Sequence, residues 1–173
     1  MSTRTIAAAV ALLALAGCSV ATPVEFDPGR SEFTFRIDTS FSTAQADAIR
    51  LGMAFWEGEL PLASLTELPG LDCTEGTSRC FVALPAGHDA FTAEAVSMDL
   101  SCAACVGRFM GSWTAVRADL DPELLPIVAA HEFGHRLGLQ HTDEGVMAEV
   151  ATIDARWILS PKAMRALEAR GLR

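Results

Sequence analysis

The chain has 173 residues, half of them hydrophobic, with 13 basic and 22 acidic side chains and a formal charge of −9. That length suits one domain with short appendages, and the apolar half is enough to bury a real core. The acidic balance argues against a nucleic-acid partner, and no repeat or low-complexity tract stands out.

Residues 1–17 read as a leader. Arg4 supplies a short positive region, and Ile6 to Ala16 is an apolar run too short to span a bilayer but suited to a signal segment. The run ends Leu15-Ala16-Gly17-Cys18, which resembles a bacterial lipobox and implies cleavage before Cys18 and acylation of that residue. An ordinary secretory signal cut near Ala16 or Ala21 is the alternative. Two or more acyl chains anchor stably where one is marginal. The expectation is an exported protein, lipid-anchored to the cell envelope at Cys18. Ser19, in place of an inner-membrane-retaining Asp, favours the outer membrane or cell surface. The acidic exterior repels anionic head groups, so membrane contact is expected through the lipid. Residues 18–30, with two prolines and a glycine, read as the lipidated Cys and a short tether; residues 31–173 read as the folded domain.

The domain opens with alternation from Ser31 to Asp38, a predicted strand. Ser42 or Thr43 caps a predicted helix to about Trp56, with Ala44, Ala48, Leu51 and Phe55 as its stripe and Ile49, Met53 and Trp56 widening it. Leu62–Leu68 and Arg79–Pro85 are further predicted strands. His88 falls in a loop; a solvated side chain is the expectation, a metal role the alternative. The span 91–100 is expected to supply the edge strand, and 109–120 the strand before the next helix. Asp121-Pro122-Glu123 has the pattern of a helix start, giving a helix from Pro122 to Leu137, or from Pro126 if that proline opens it. Ser160-Pro161 caps a last helix that Gly171 ends.

Four cysteines besides Cys18 remain: Cys73, Cys80, Cys102 and Cys105. An even number in an exported chain makes disulfides the default. The short loops favour Cys73–Cys80 and Cys102–Cys105. A redox pair at Cys102-Ala-Ala-Cys105 and a four-Cys metal site stay open as alternatives.

The chemistry concentrates in His131-Glu132-Phe133-Gly134-His135-Arg136-Leu137-Gly138-Leu139-Gln140-His141, which reads H-E-x-x-H-x-x-G-x-x-H. Residues four apart on a helix are stacked one turn above the other, so His131 and His135 can address one metal. Gly138 permits the turn that returns His141 as third ligand. Glu132 is angled away from the ligands, as suits a base rather than a fourth ligand. Three of the four histidines of the chain fall in this register. At ordinary residue frequencies such a match arises in roughly one of 100,000 chains of this length.

With Gly145-Val146-Met147 close behind, the motif resembles the metzincin clan of zinc endopeptidases, and the order of elements resembles the matrixins. The resemblance is specific over 131–147 and one of element order elsewhere in 31–173. It implies an α+β fold: a twisted, mainly parallel sheet of four to five strands with an antiparallel edge strand, a first helix, an active-site helix, a methionine turn at Met147 and a C-terminal helix. It implies one catalytic Zn2+ on His131, His135 and His141. Glu132 would be the general base of an endopeptidase that cleaves extended polypeptides, working as a monomer.

The chain departs from matrixins at several points. It has no Tyr to stabilise an oxyanion, and Ala148-Glu149-Val150-Ala151 lacks the Pro and Tyr expected after the methionine. Glu149 is either a determinant of basic substrates or merely solvated. Residues 18–30 are too brief for the matrixin pro-domain, so the enzyme is expected to be made active or held latent from elsewhere. Calcium stays unassigned, because Asp89, Asp99 and Asp119 are scattered. The alternative function is a catalytically silent, zinc-containing, peptide-binding surface lipoprotein.

Overall fold

The structure is a computed structural model that describes residues 31–68, 73–91, 107–148 and 157–173. Among these, five strands form one sheet: β1 (Glu32–Ile37), β2 (Ser64–Glu67), β3 (Cys80–Leu84), β4 (Gly107–Phe109) and β5 (Thr114–Arg117). Their spatial order is β2-β1-β3-β5-β4. The first four in that row run parallel, and β4 is antiparallel to β5 at the edge. Three helices are described: α1 (Thr43–Glu59), α2 (Leu125–Arg136) and α3 (Pro161–Glu168). This is an α+β fold with a mostly parallel sheet and an antiparallel edge strand. No described helix is long and apolar enough to cross a membrane.

Period-two burial divides the sheet between two apolar layers. Phe33 and Phe35 of β1 and Phe81 of β3 face the main core with the helices. Cys80, Val82 and Leu84 of β3 face a second cluster with Cys73, Phe91 and Trp113. A disulfide joins Cys73 to Cys80 on that side, the pairing favoured from loop length. Cys102 and Cys105 lie outside the described residues, as do residues 1–30 with the leader, Cys18 and the tether.

Ser42 caps α1 through a reciprocal box: its Oγ accepts the Gln45 N–H at 3.3 Å, and Gln45 Oε1 accepts the Ser42 N–H at 3.1 Å. The buried face of α1 differs from the stripe read in the sequence. Ala48, Ile49, Gly52, Met53 and Trp56 are buried, whereas Ala44 is exposed and Leu51 is 60% exposed. The helix is rotated because α1 packs on α2 at Gly52, where a Cβ would meet the Pro126 carbonyl oxygen at 2.4 Å. Counting only apolar side chains leaves that glycine out, although it sits where the two helices approach most closely. Trp56 then donates its indole N–H to the Ala130 carbonyl at 2.8 Å and packs against Phe133, which in turn meets Phe33 edge-on.

Among the described residues the antiparallel edge strand is Gly107–Phe109; of the 91–100 span expected to supply it, 92–100 lie outside the described residues. The 109–120 span holds β5, the strand before the helix, which a tight connection joins to Phe109. The helix begins at Leu125, beside the Pro126 start that the sequence left open and not at Pro122. Asp121 instead closes a turn, its Oδ1 accepting the Glu123 N–H at 2.9 Å and its carbonyl accepting from Leu124 and Leu125. A helix running from Pro122 would need a backbone donor at Pro126, which proline lacks. Starting at Leu125 places Pro126 in the first turn, where no donor is required.

Gly52→Ala makes the helix contact testable. Alanine is better than glycine by about 1 kcal/mol in a helix interior. Here the added methyl must displace backbone, and overpacking of that kind costs about 1–3 kcal/mol. The clash is expected to win, so the urea midpoint of Gly52→Ala falls; a midpoint above wild type contradicts this packing.

Candidate metal centre

Residues Leu125 to His135 of α2 are buried on every side, so the helix runs through the core and carries its histidines into it. It stops in a Schellman pattern: the Gly138 N–H bonds to the His135 carbonyl at 2.9 Å and the Leu139 N–H to the Gly134 carbonyl at 3.0 Å. Gly138 has φ +79°, a left-handed setting that glycine adopts without a Cβ penalty. This turn sends the chain back so that His141 faces the two helical histidines.

A second turn fixes what lies beneath them. Gly145 has φ +78°, and a Cβ there would lie 2.3 Å from the Ile158 carbonyl oxygen. The Val146 N–H bonds to that same carbonyl at 3.0 Å, and the Thr142 N–H bonds to the Met147 carbonyl at 2.9 Å. Met147 is thereby tied back to the residue after His141 and is 1% exposed. Its sulfur packs onto α2 at Gly134, where a Cβ would meet Met147 Sδ at 2.1 Å and Trp56 Cζ2 at 3.1 Å. Gly134, between His131 and His135 in the sequence, is therefore required by the methionine that packs on it.

The three Nε2 atoms form a nearly equilateral triangle. His131–His135, His135–His141 and His131–His141 are 3.0, 3.1 and 3.2 Å apart. The other ring nitrogens explain the chemical state of the two helical histidines. His131 Nδ1 lies 2.9 Å from the Val146 carbonyl and His135 Nδ1 lies 3.0 Å from the Leu139 carbonyl. A carbonyl only accepts, so each Nδ1 carries the proton and each Nε2 presents a lone pair. Lone pairs facing one another at this distance repel unless a cation lies among them. The arrangement is close enough to hold one metal ion. The two carbonyls orient the rings and raise their basicity as ligands.

Glu132 is 1% exposed and is turned toward β4. Its Oε2 accepts the Phe109 N–H of β4 at 2.6 Å. Its Oε1 is the one buried side-chain polar atom without a hydrogen-bond partner among the described residues. Burial pushes this carboxyl up to about 8, against the Phe109 hydrogen bond and the Arg108 charge, which lower it. Burial also pushes His131 down to about 3 and His135 down to about 4, which keeps both imidazoles neutral and ready to bind a metal.

Of the residues named by sequence reasoning, the structure brings His131, His135 and His141 together, packs Met147 on Gly134, and buries Glu132 against β4. His88 does not join them: its Nε2 pairs with Glu75 at 3.1 Å and its Nδ1 accepts the Ala90 N–H. Glu149 lies outside the described residues. Missed were Gly107 and Phe109, which meet Glu132, and Arg170, which donates to the Gly138 carbonyl at 3.0 Å. An N–H acting from a strand leaves no residue-type signature, and an arginine near a helix end reads as ordinary. No family model matches the chain, and no curated protein matches it.

The shifts give a pH profile for the chelated protein. Between about 4 and 6.5 the unfolded imidazoles hold protons that folded His131 and His135 do not, so stability falls as pH drops through that window. Glu132 has the opposite sign: the folded chain keeps its proton from 4.5 up to about 8, so stability falls as pH rises. Two imidazoles outweigh one carboxyl below 6.5, so these groups place the maximum near that pH. Urea midpoints across pH 4 to 8 should show it, and Glu132→Gln should lose the alkaline decline. A decline that persists in Glu132→Gln contradicts the assignment.

Proposed function

We propose that the protein is a zinc-dependent endopeptidase of the metzincin type, matrixin-like in its order of elements. The observation that carries this reading is the triangle of imidazole nitrogens flanked by one buried carboxylate with an unpartnered oxygen. A tetrahedral zinc with bonds of about 2.0–2.1 Å sets its ligand nitrogens roughly 3.3 Å apart. The separations of 3.0 to 3.2 Å in the chain fit that ion with little adjustment. All-nitrogen ligands also suit zinc better than calcium or magnesium, which take oxygen.

A zinc bound by His131, His135 and His141 would polarise the scissile carbonyl and acidify a water. The chain's own residues do the remaining work. The Phe109 N–H engages one oxygen of Glu132 and leaves the other for the proton of the attacking water. Glu132 takes that proton and returns it to the leaving amine. Its burial supports the role, because a desolvated carboxylate binds a proton more strongly than one in water. Met147 and Trp56 hold α2 from below and keep the histidines in place.

The substrate proposed is an extended polypeptide that adds to β4 as a further strand. The Met110 N–H bonds to the Trp113 carbonyl, so ladder bonds to β5 fall on alternate residues from Met110. By that alternation the backbone groups of Gly107 and the carbonyl of Phe109 are left to the outer edge, while the Phe109 N–H on that side is held by Glu132. Export and a lipid anchor at Cys18 belong to the same proposal. The Cys73–Cys80 disulfide supports an oxidising compartment.

The test is digestion of unfolded casein by the purified protein. Cleavage is expected with zinc, is lost with a chelator, and returns when zinc is restored. Glu132→Ala should lower kcat by about 10²–10⁴-fold, the share of a positioned general base, while zinc stays bound. Cleavage that persists in Glu132→Ala removes this mechanism. A zinc-loaded wild type that binds casein without cutting it leaves the silent peptide-binding reading in its place.

A further inference from the structure

Glu132 is usually considered through its place in the motif, yet what holds its carboxylate comes from 23 residues earlier in the chain. Strand β4 crosses α2 closely enough for the Phe109 N–H to reach Oε2 at 2.6 Å, a short hydrogen bond. That approach is made at Gly107. A Cβ there would lie 2.5 Å from Val128 Cγ1, 3.3 Å from Glu132 Cγ and 3.6 Å from Glu132 Oε1. Val128 is 1% exposed, and a β-branched side chain in a helix has essentially one rotamer, so its methyl cannot swing aside. A side chain at position 107 would therefore push the strand off the helix and lengthen the Phe109 bond.

We propose that Gly107 is a positioning residue for Glu132. Its missing side chain seats the edge strand on α2, so that the Phe109 N–H fixes one carboxylate oxygen and frees the other. The inference rests on Glu132 as the proton carrier. It also makes the strand offered to substrate the same strand that sets the base, so a shift of β4 disturbs both.

The experiment compares Gly107→Ala, Val128→Ala and the double variant in the full chain. Removing the Val128 methyl makes room for the new one, so the double variant is the rescue. The first readout is the Phe109 amide proton by NMR, in chelated and in zinc-loaded protein. A short hydrogen bond deshields this proton, and Glu132→Ala identifies it by abolishing the shift. The second readout is kcat against KM on casein, with zinc affinity alongside.

Gly107→Ala is expected to move the Phe109 proton upfield, to lower kcat on the order of 10²-fold and to raise KM by a smaller factor, with zinc affinity little changed. The double variant should restore the proton shift and most of kcat. Val128→Ala alone should keep both and lose only stability. A Phe109 shift unchanged in Gly107→Ala overturns the proposal. Should Gly107→Ala not fold, the double variant decides: a wild-type shift supports the proposal, and a displaced one overturns it. If the wild type cleaves no peptide, the endopeptidase reading fails on that result, while the amide shift still decides whether Gly107 seats the strand.

Discussion

Three imidazole nitrogens converge on one point, and that convergence sets the terms for everything around it. Without a cation the 3.0 Å contact between His131 and His135 would be repulsive, because both nitrogens are fixed as acceptors by the protons on their opposite sides. Burial sharpens the demand. Charging His131 or His135 by protonation is disfavoured down to about 3 and about 4, so neither of these two rings relieves the repulsion with a proton of its own near neutrality. A metal ion answers the geometry and the burial together.

The scaffold holds that convergence with backbone more than with side chains. Two left-handed glycines, Gly138 and Gly145, make the turns that carry the chain past the ends of the site. The carbonyls orienting His131 and His135 belong to Val146 and Leu139, each one residue from a position that closes one of these turns. Arg170, from beyond α3, secures the first turn through the Gly138 carbonyl. Trp56 ties α1 to α2 opposite the site, and Gly134 receives Met147 between the ligand pair. Glycine recurs at these contacts because each is an approach of backbone to another group that leaves no room for a Cβ.

This explains which parts of the molecule could be read in advance. His131, Glu132, His135 and His141 were legible because their residue types mark a metal site and the spacing of His131 and His135 follows from helical geometry. Ser42 and Ser160 were legible as caps, since a hydroxyl before a helix has a local reason to be there. The buried face of α1 was not, because Gly52 contributes closeness rather than apolar surface. The start of α2 stayed open between Pro122 and Pro126 because Asp121-Pro122-Glu123 satisfies a turn as well as a helix cap, and only Pro126 separates the two. Strand β4 was not legible because it is three residues long, too short for alternation to reveal. Its link to Glu132 is tertiary, made by an N–H that every non-proline residue carries.

Metal titration of the purified protein, run in parallel on His131→Ala, His135→Ala and His141→Ala, tests the central claim most directly. The convergence predicts one zinc per wild-type chain and a loss of affinity of at least about 100-fold in each variant, as expected when one of three ligands is removed. Wild-type affinity in any one of the three variants would contradict it, because the ion would then not be held by these imidazoles together.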